Sequence, residues 1–150
     1  MRVFRSKDEI LAAKGEKLGT SDWLTITQDQ VNQFADATHD HQWIHVDADR
    51  AAQGPFGGPI AHGFLTLSLL SRLNSRTYRF EGAEMGINYG LNKVRFPAPV
   101  PVGARIRSHT ELADVTEVPG GLQLAVATTV EIENTEKPAC VAEFLTRVVF

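Results

Sequence analysis

The sequence predicts an α+β fold in which a curled antiparallel sheet wraps around one long central helix. Two observations predict this arrangement. Residues 60–73 have apolar side chains on nearly every face of a helix, and such a helix is normally buried. From residue 85 onward, apolar and polar residues alternate with the period of β-strands. A sheet built from these strands can cover the helix only if it curls around it.

Composition restricts the class of protein. With 150 residues, 43% hydrophobic and 22% charged, the chain is expected to form one globular domain over 1–150. A net charge of −3 without a basic cluster gives no reason to expect nucleic acid as a partner. The first residues lack the apolar run of a signal peptide, and no segment approaches the length of a membrane span. A single cysteine, Cys140, favours a reducing compartment, so we expect a cytoplasmic protein that does not bind a membrane.

Capping motifs define two helices in the first forty residues. An S-x-x-E box that starts at Ser6 predicts a helix over 7–14, which Gly15 can end. A T-x-x-Q box that starts at Thr27 predicts a second helix over 28–37. The segment 21–26 between them predicts a strand. The second helix has one apolar stripe, formed by Val31, Phe34, Ala35 and Thr38.

The segment 38–58 is predicted to be irregular, with one helical turn near 49–53. It ends in the sequence GPFGGP, which is typical of a loop. Pro59 then suits the first turn of the central helix, where its missing N–H has no partner in any case.

Four segments of the second half are predicted strands. The apolar face changes parity after Leu91, which predicts a β-bulge near Asn92 or Lys93. The PGG segment at 119–121 predicts a turn. The result is a hot dog type of fold, whose exposed sheet edges favour a homodimer. The predicted strands cover residues 85–96, 105–112, 122–132 and 139–150.

An acid and a base lie close together in the irregular segment. Asp40 and His45 are five residues apart, a spacing that would separate them on a regular helix but allows them to converge on an irregular chain. A histidine can exchange a proton at neutral pH, and a carboxylate can orient it or share a water with it. The alternative is a solvated loop in which Asp40 caps a turn and His45 packs against Trp43.

A third polar feature is the start of the central helix at His62 and Gly63. The first N–H groups of a helix have no partner within the helix and suit an oxygen that becomes an anion. The alternative is that Gly63 only allows close packing.

A metal site is a minority interpretation. His39, Asp40, His41 and His45 have a spacing that metal ligands can adopt, but no Glu or Cys completes the set. We therefore expect no metal and no organic cofactor.

Two blocks of sequence resemble the MaoC-like dehydratase family, and within it the (R)-specific enoyl-CoA hydratases, including the mycobacterial single-domain type that has a Trp in the motif. The first block is formed by Phe34, Thr38, His39, Asp40, His41, Gln42, Trp43, Ile44, His45 and Ala51. Within it, the chain departs from the family motif at His39, Gln42 and Trp43, where the family has Gly, Asn and Pro. The second block is residues 59–65, followed by Ser68 and Ser71, and a weaker likeness extends through 91–106.

This resemblance implies roles for individual residues. Asp40 and His45 would be the catalytic pair, and the Gly63 N–H would hold the carbonyl oxygen of a thioester. Ser71 and His62 would support the site. Residues implied in substrate binding are Trp43 and Phe64 at the acyl group and Asn92, Lys93 and Arg95 at coenzyme A, with a solvated strand edge as the alternative for the last two.

The implied activity is reversible hydration of a trans-2-enoyl-CoA to a (3R)-3-hydroxyacyl-CoA, with an acyl-CoA thioester as the substrate. Three alternatives remain open from the sequence. They are dehydration of a 3-hydroxyacyl group on acyl carrier protein, a thioesterase, and a non-catalytic acyl-CoA-binding protein.

Overall fold

The computed structural model describes all residues from Met1 to Phe150 and confirms the predicted α+β class. No helix is both long enough and apolar enough to cross a membrane. The helices are α1 Lys7–Ala12, α2 Gln28–Thr38, α3 Trp43–Val46, α4 Ala48–Ala52, α5 Gly63–Ser68 and α6 Leu70–Asn74. The strands are β1 Arg2–Phe4, β2 Lys17–Thr20, β3 Leu24–Thr25, β4 Tyr78–Phe80, β5 Met85–Arg95, β6 Arg105–Val118, β7 Gly121–Ile132 and β8 Cys140–Val149.

One antiparallel sheet forms most of the structure. Its strand order is β2-β6-β7-β8-β5, and β3 pairs with β6 at the same edge as β2. A separate parallel pair joins β1 to β4. Strand β5 therefore has a neighbour, β8, on one side only.

The core consists of two clusters of buried apolar side chains. One packs the α5–α6 helix against the sheet and includes Leu65, Leu70 and Val130. The other packs α1 and β1 against the far ends of β6 and β7 and includes Phe4, Ile10 and Leu122. Together they bury the helix side of the sheet, as the alternation of β7 predicts.

The central helix differs from the prediction in three ways. It begins at Gly63 rather than near Ile60, so Pro59 lies before it. It consists of two segments that meet at Leu69, whose backbone angles stay in the right-handed helical region. It is not buried on every side, because Phe64 is 69% exposed. The prediction of full burial is therefore wrong for this chain alone.

The capping and bulge predictions can be compared directly with the structure. The box at Thr27 is complete, with both reciprocal hydrogen bonds. At Ser6 only half of it forms, since the Glu9 carboxylate accepts from the N–H of Arg5 instead. The register of β5 against β8 shifts between Leu91 and Lys93, which confirms the bulge, and a second shift lies between Asn88 and Gly90.

Several short elements were not predicted. Strands β1, β2 and β4 and helix α3 are absent from the sequence interpretation, and the predicted strand 21–26 is only Leu24–Thr25. The parallel pair β1–β4 joins residues that are far apart in the chain, so no local pattern indicates it.

Candidate active site

Asp40, His45 and His62 come together at the junction of α2, α3 and α5. One polar side-chain atom from each lies within 4.8 Å of the other two. His45 and His62 are buried, whereas the Asp40 side chain is about half exposed. The rings of the two histidines stack, with centroids 3.8 Å apart and planes at 24°. Two imidazoles and a carboxylate therefore meet at the protein surface.

The left-handed conformation of His39 brings Asp40 to this position. His39 is the C-cap of α2 and has φ 60° and ψ 20°. This region is sterically costly for residues with a Cβ, and glycine is the usual residue at such a helix end. The turn directs Asp40 away from the axis of α2, and the Asp40 carboxylate then accepts from the N–H of Gln42.

We expect His39→Gly to raise the free energy of unfolding by about 0.5–1 kcal/mol, because it relieves the left-handed strain. Urea denaturation followed by circular dichroism measures this change. The matched control is His41→Gly, since His41 is not among the residues with positive φ. A midpoint for His39→Gly at or below that of the unchanged protein would contradict the prediction.

The tautomer of His45 follows from its backbone contact. Its Nδ1 lies 2.7 Å from the carbonyl oxygen of Ile60, and because a carbonyl only accepts, Nδ1 must have the proton. The Nε2 lone pair is therefore free. Burial lowers the pKa of His45, and the neighbouring His62 ring lowers it further. The hydrogen bond to Ile60 and the charge of Asp40 act in the opposite direction. A neutral ring with a free Nε2 is the form that acts as a base.

His62 connects the other two members of the cluster. Its Nε2–H donates to the carbonyl oxygen of Asp40 at 2.9 Å, while the carboxylate is 4.0 Å away. Its Nδ1 is buried and has no hydrogen-bond partner. Phe34 of α2 also packs against the ring, with centroids 4.9 Å apart and planes at 55°. His62 thus contacts both Phe34 and His45.

A cleft of about 310 Å³ opens next to His45. His45 and Gly63 both line it, and its walls are otherwise mostly apolar, with Phe56, Ile60 and Phe96 among them. His62, the N-cap of α5, makes no side-chain hydrogen bond to the first turn, so it does not occupy the N–H groups there. A Cβ at Gly63 would lie 3.0 Å from the Phe96 ring, so a larger residue would require the ring to shift.

Of the four residues whose spacing suits a metal, only Asp40 and His45 come together. His41 instead bonds Asp36 at 2.8 Å, and His39 is exposed. The cluster that does form, Asp40 with His45 and His62, is also poorly arranged for a cation. The lone pair of an imidazole nitrogen lies in the plane of the ring. The planes of His45 and His62 are stacked and nearly parallel, so their lone pairs do not point to one place, whereas metal ligands must converge on one point.

Comparison with known proteins identifies the family. The family model described as "MaoC like domain" matches residues 9–135. The chain belongs to the MaoC-like dehydratase family. As a member of this family of enzymes, it has the hot dog fold that the sequence predicts.

Individual relatives agree with this assignment. The chain is 60% identical to 3-hydroxyacyl-thioester dehydratase Z of Mycobacterium tuberculosis, over 99% of both chains. It is 50% identical to Nodulation protein N of Rhizobium meliloti, over 93% of this chain and 89% of that protein. Among solved structures, R-hydratase PhaJ1 from Pseudomonas aeruginosa superposes with a TM-score of 0.73 at 25% identity, over 91% of this chain and 81% of that one.

Several residues that the MaoC-like motif implies lie outside the cleft. Ser71 lines a different cavity, next to α6. Trp43 packs against Gly54, whose added Cβ would be 2.9 Å from the indole, and under the guanidinium of Arg50 at 4.4 Å. Trp43 therefore shapes the loop after α4 rather than the wall of the cleft.

The residues predicted near coenzyme A are on another surface. Lys93 and Arg95 line a shallow depression with Val141, on the opposite face of β5 from Val94, which packs against the core. Asn92 donates to Glu143 of β8. The cleft of one protomer thus includes none of the three, and coenzyme A binding by them stays a prediction.

Phe64 is adjacent to the cleft without lining it. Its ring meets the edge of Phe96, a wall residue, with centroids 6.1 Å apart. Two contacts of the site had no sequence signal: the Ile60 carbonyl that holds His45, and Gln28, whose amide donates to the His45 carbonyl at 2.8 Å. Both join residues at least 15 positions apart, so spacing could not indicate them.

Proposed function

We propose that this protein hydrates trans-2-enoyl-CoA reversibly to (3R)-3-hydroxyacyl-CoA. The observation that supports this most directly is the buried His45, which lines an apolar cleft, has a lowered pKa and lies beside the half-exposed carboxylate of Asp40. Family membership and the names of the relatives, a 3-hydroxyacyl-thioester dehydratase and an R-hydratase, support the same chemistry.

The pair is spaced to hold one water. Two groups that each bond a shared water at ~2.8 Å lie up to ~5.6 Å apart, and one carboxylate oxygen of Asp40 lies within 4.8 Å of one ring nitrogen of His45. The free Nε2 of His45 accepts a proton from this water while its oxygen attacks C3 of the enoyl group. Asp40 accepts the second hydrogen bond of the water and fixes its direction.

Gly63 supplies the complementary donor. We place the thioester carbonyl oxygen at the N–H of Gly63, in the first turn of α5, where the peptide group has no acceptor within the helix. Negative charge moves to this oxygen as the C3–O bond forms, and one such donor is typically worth about 2.7–4 kcal/mol in the transition state. Because Gly63 has no Cβ, the Phe96 ring can approach this end of α5 closely.

The reaction balances without a cofactor. The hydroxyl of the water goes to C3, and its remaining proton passes through the pair to C2, which restores the thioester. The charge of Asp40 favours the protonated form of His45, so it stabilises the ring while the ring has the proton. His62 positions both by bonding the Asp40 carbonyl and stacking on His45.

The lowered pKa of His45 makes a prediction about pH. The base is active only when neutral, so hydration should stay near its plateau below pH 6.5 and fall only when pH drops through the lowered pKa. Measuring kcat/KM with crotonyl-CoA from about pH 5 to pH 8 tests this. An acid limb centred above 6.5 would contradict it.

The same depressed pKa should make stability decline as pH falls below about 6.5, since the unfolded chain then binds more protons.

A direct assay tests the proposed function. The purified protein is given enoyl-CoA substrates of several chain lengths, and the configuration of the 3-hydroxy product is determined. Enoyl groups on acyl carrier protein are measured in parallel, and a thiol reagent detects any thioesterase activity. A product of S configuration, thiol release without hydration, or binding without turnover would each reject the proposal.

We further propose that the functional unit is a cytoplasmic homodimer that forms along β5. This edge strand leaves Met85, Ile87, Tyr89 and Leu91 between 39% and 52% exposed. Exposed apolar residues on an unpaired strand edge favour pairing with another strand, and a second copy of the chain provides one with the same pattern. Sedimentation equilibrium measures the assembly, and a monomer at the concentration of the assay would contradict it.

A further inference from the structure

The loop after α4 places one large apolar side chain in the wall of the cleft. The loop covers residues 53–59 with the sequence QGPFGGP, and Phe56 is its single residue among those that line the cleft. Phenylalanine is usually among the most buried residue types, yet Phe56 is 47% exposed. Its ring belongs to none of the aromatic pairs in the structure. Much of its apolar surface is therefore available to a molecule that enters the cleft.

Helix α3 holds both ends of this loop. At the first end, the Trp43 ring lies so close to Gly54 that an added Cβ would be 2.9 Å from it. At the other end, the N–H of Ile60 donates to the carbonyl oxygen of Ile44 at 3.0 Å. Trp43 and Ile44 are the first two residues of α3, and His45 follows them. The ends of the loop are therefore fixed relative to His45.

The tip of the loop, residues 55–58, has few contacts. Its one backbone hydrogen bond joins the N–H of Gly57 to the carbonyl oxygen of Gly54 at 3.3 Å, within the loop itself. Gly57 has φ 71°, and a Cβ added at Gly57 or Gly58 would meet no atom within 4 Å. Few buried contacts are typical of segments that move at a low cost in free energy. Phe56 can therefore change position while the ends of the loop stay in place.

Other parts of the wall are held by the packing around them. Ala61 and Ala139 line the cleft and also belong to the main core cluster, and neither is more than 5% exposed. The Phe96 ring lies against Gly63 at the start of α5. Phe56, in contrast, can follow the shape of a ligand.

The composition of the wall indicates which part of a substrate it contacts. Apart from His45 and Thr66, no wall side chain can form a hydrogen bond. An alkyl chain in such a cleft removes apolar surface from water on both sides, which is favourable in proportion to the area. In the proposed reaction, C3 of the acyl group lies beside His45. The carbons beyond C3 are therefore the alkyl groups that the wall can cover.

We infer that Phe56 is a specificity-determining residue, which packs on the acyl chain beyond C3 and selects acyl groups longer than crotonyl. The inference rests on the proposed function and adds a substrate class to it. A crotonyl group has one carbon beyond C3 and offers Phe56 little surface. Each further methylene that the ring covers strengthens binding of the substrate and of the transition state, so the gain appears in kcat/KM.

The experiment compares crotonyl-CoA with trans-2-octenoyl-CoA. For the unchanged protein, kcat/KM should be higher with the longer substrate. In Phe56→Ala the ratio of the two values should fall about tenfold, because one buried methylene contributes about fourfold and the ring covers more than one. Phe56→Leu should keep most of the ratio, since leucine is also large and apolar. The control is Gln53→Ala, which shortens an exposed side chain of the same loop outside the cleft and should leave the ratio unchanged.

The other outcomes would overturn the inference in different ways. An unchanged ratio in Phe56→Ala would show that the ring does not contact the acyl chain. A higher rate with octenoyl-CoA would mean that Phe56 limits the length of the chain instead. An equal loss with both substrates would assign Phe56 to the coenzyme A moiety. Sedimentation equilibrium completes the comparison, because a changed assembly in Phe56→Ala would assign the residue to a contact between copies of the chain.

Binding measurements separate this inference from the proposed function. Calorimetry gives the Kd of butanoyl-CoA and octanoyl-CoA, which bind without turnover. Phe56→Ala should reduce the preference for octanoyl-CoA by about tenfold, as in the kinetic comparison. If the unchanged protein binds both compounds and hydrates neither enoyl-CoA, the proposed function fails, while the ratio of the Kd values still decides whether Phe56 contacts the acyl chain.

Discussion

Replacing His45 with glutamine is expected to reduce crotonyl-CoA hydration by about 10²–10⁴-fold, the range for loss of a general acid–base group. Glutamine has a neutral amide near the position of Nε2, and asparagine is the companion variant because its amide nitrogen corresponds to Nδ1, which donates to the Ile60 carbonyl at 2.7 Å. What glutamine lacks is a basic nitrogen that can accept a proton from water. The loss should therefore appear in kcat, with a melting temperature near that of the unchanged protein.

The matched control is His41→Gln, which changes a histidine of the same segment, four residues before His45. His41 is exposed and bonds Asp36 rather than the cleft, so we expect its activity within about twofold of the unchanged protein. If His45→Gln keeps more than about a tenth of the activity, His45 is not the base. The pH profile provides an independent check. If His45 is the base, the remaining activity of His45→Gln should lack the acid limb that His45 produces.

The prediction of the fold succeeded where local chemistry decides the structure. The capping box at Thr27 contains its own hydrogen-bond partners, so four residues of sequence define where α2 begins. The parity change after Leu91 is likewise local and locates the bulge in β5. By contrast, β1 exists only because β4 lies beside it, and a three-residue strand without alternation has no signal of its own.

Burial of the central helix was overestimated for a physical reason. An apolar pattern records what must be hidden in the functional assembly, whereas this structure is one chain. Phe64 and the apolar residues of β5 are exposed here, and the homodimer we propose along β5 would give the apolar residues of that strand a partner. Periodicity shows that a residue is hidden but does not show which chain hides it.

The convergence of Asp40 and His45 was predictable from the sequence, but the geometry of the cluster was not. The spacing of Asp40 and His45 indicated that they could converge, and they do so because His39 turns the chain at the end of α2 and α3 then returns His45 to the interior. His62, by contrast, was expected only to support the site. Its contacts with Phe34 and His45 bring together residues that are distant in the chain, which sequence spacing does not describe.

Replacing Asp40 with asparagine is the second change with a large expected effect, again about 10²–10⁴-fold in kcat. Asparagine keeps an oxygen that can accept from the N–H of Gln42, and the backbone carbonyl that His62 bonds is untouched. The fold of the segment should therefore survive, and the negative charge beside the water is lost. Asp36→Asn, four residues earlier and exposed, is the control and should stay within about twofold.

The double variant tests whether Asp40 and His45 act on the same water. Groups that work as a unit are strongly non-additive, so Asp40→Asn combined with His45→Gln should be little slower than the slower single variant. If instead the two losses multiply, the residues act on separate steps and the shared water is wrong. Melting temperatures of the two single variants and the double variant separate chemistry from structure, because independent damage to folding would appear as additive losses in melting temperature.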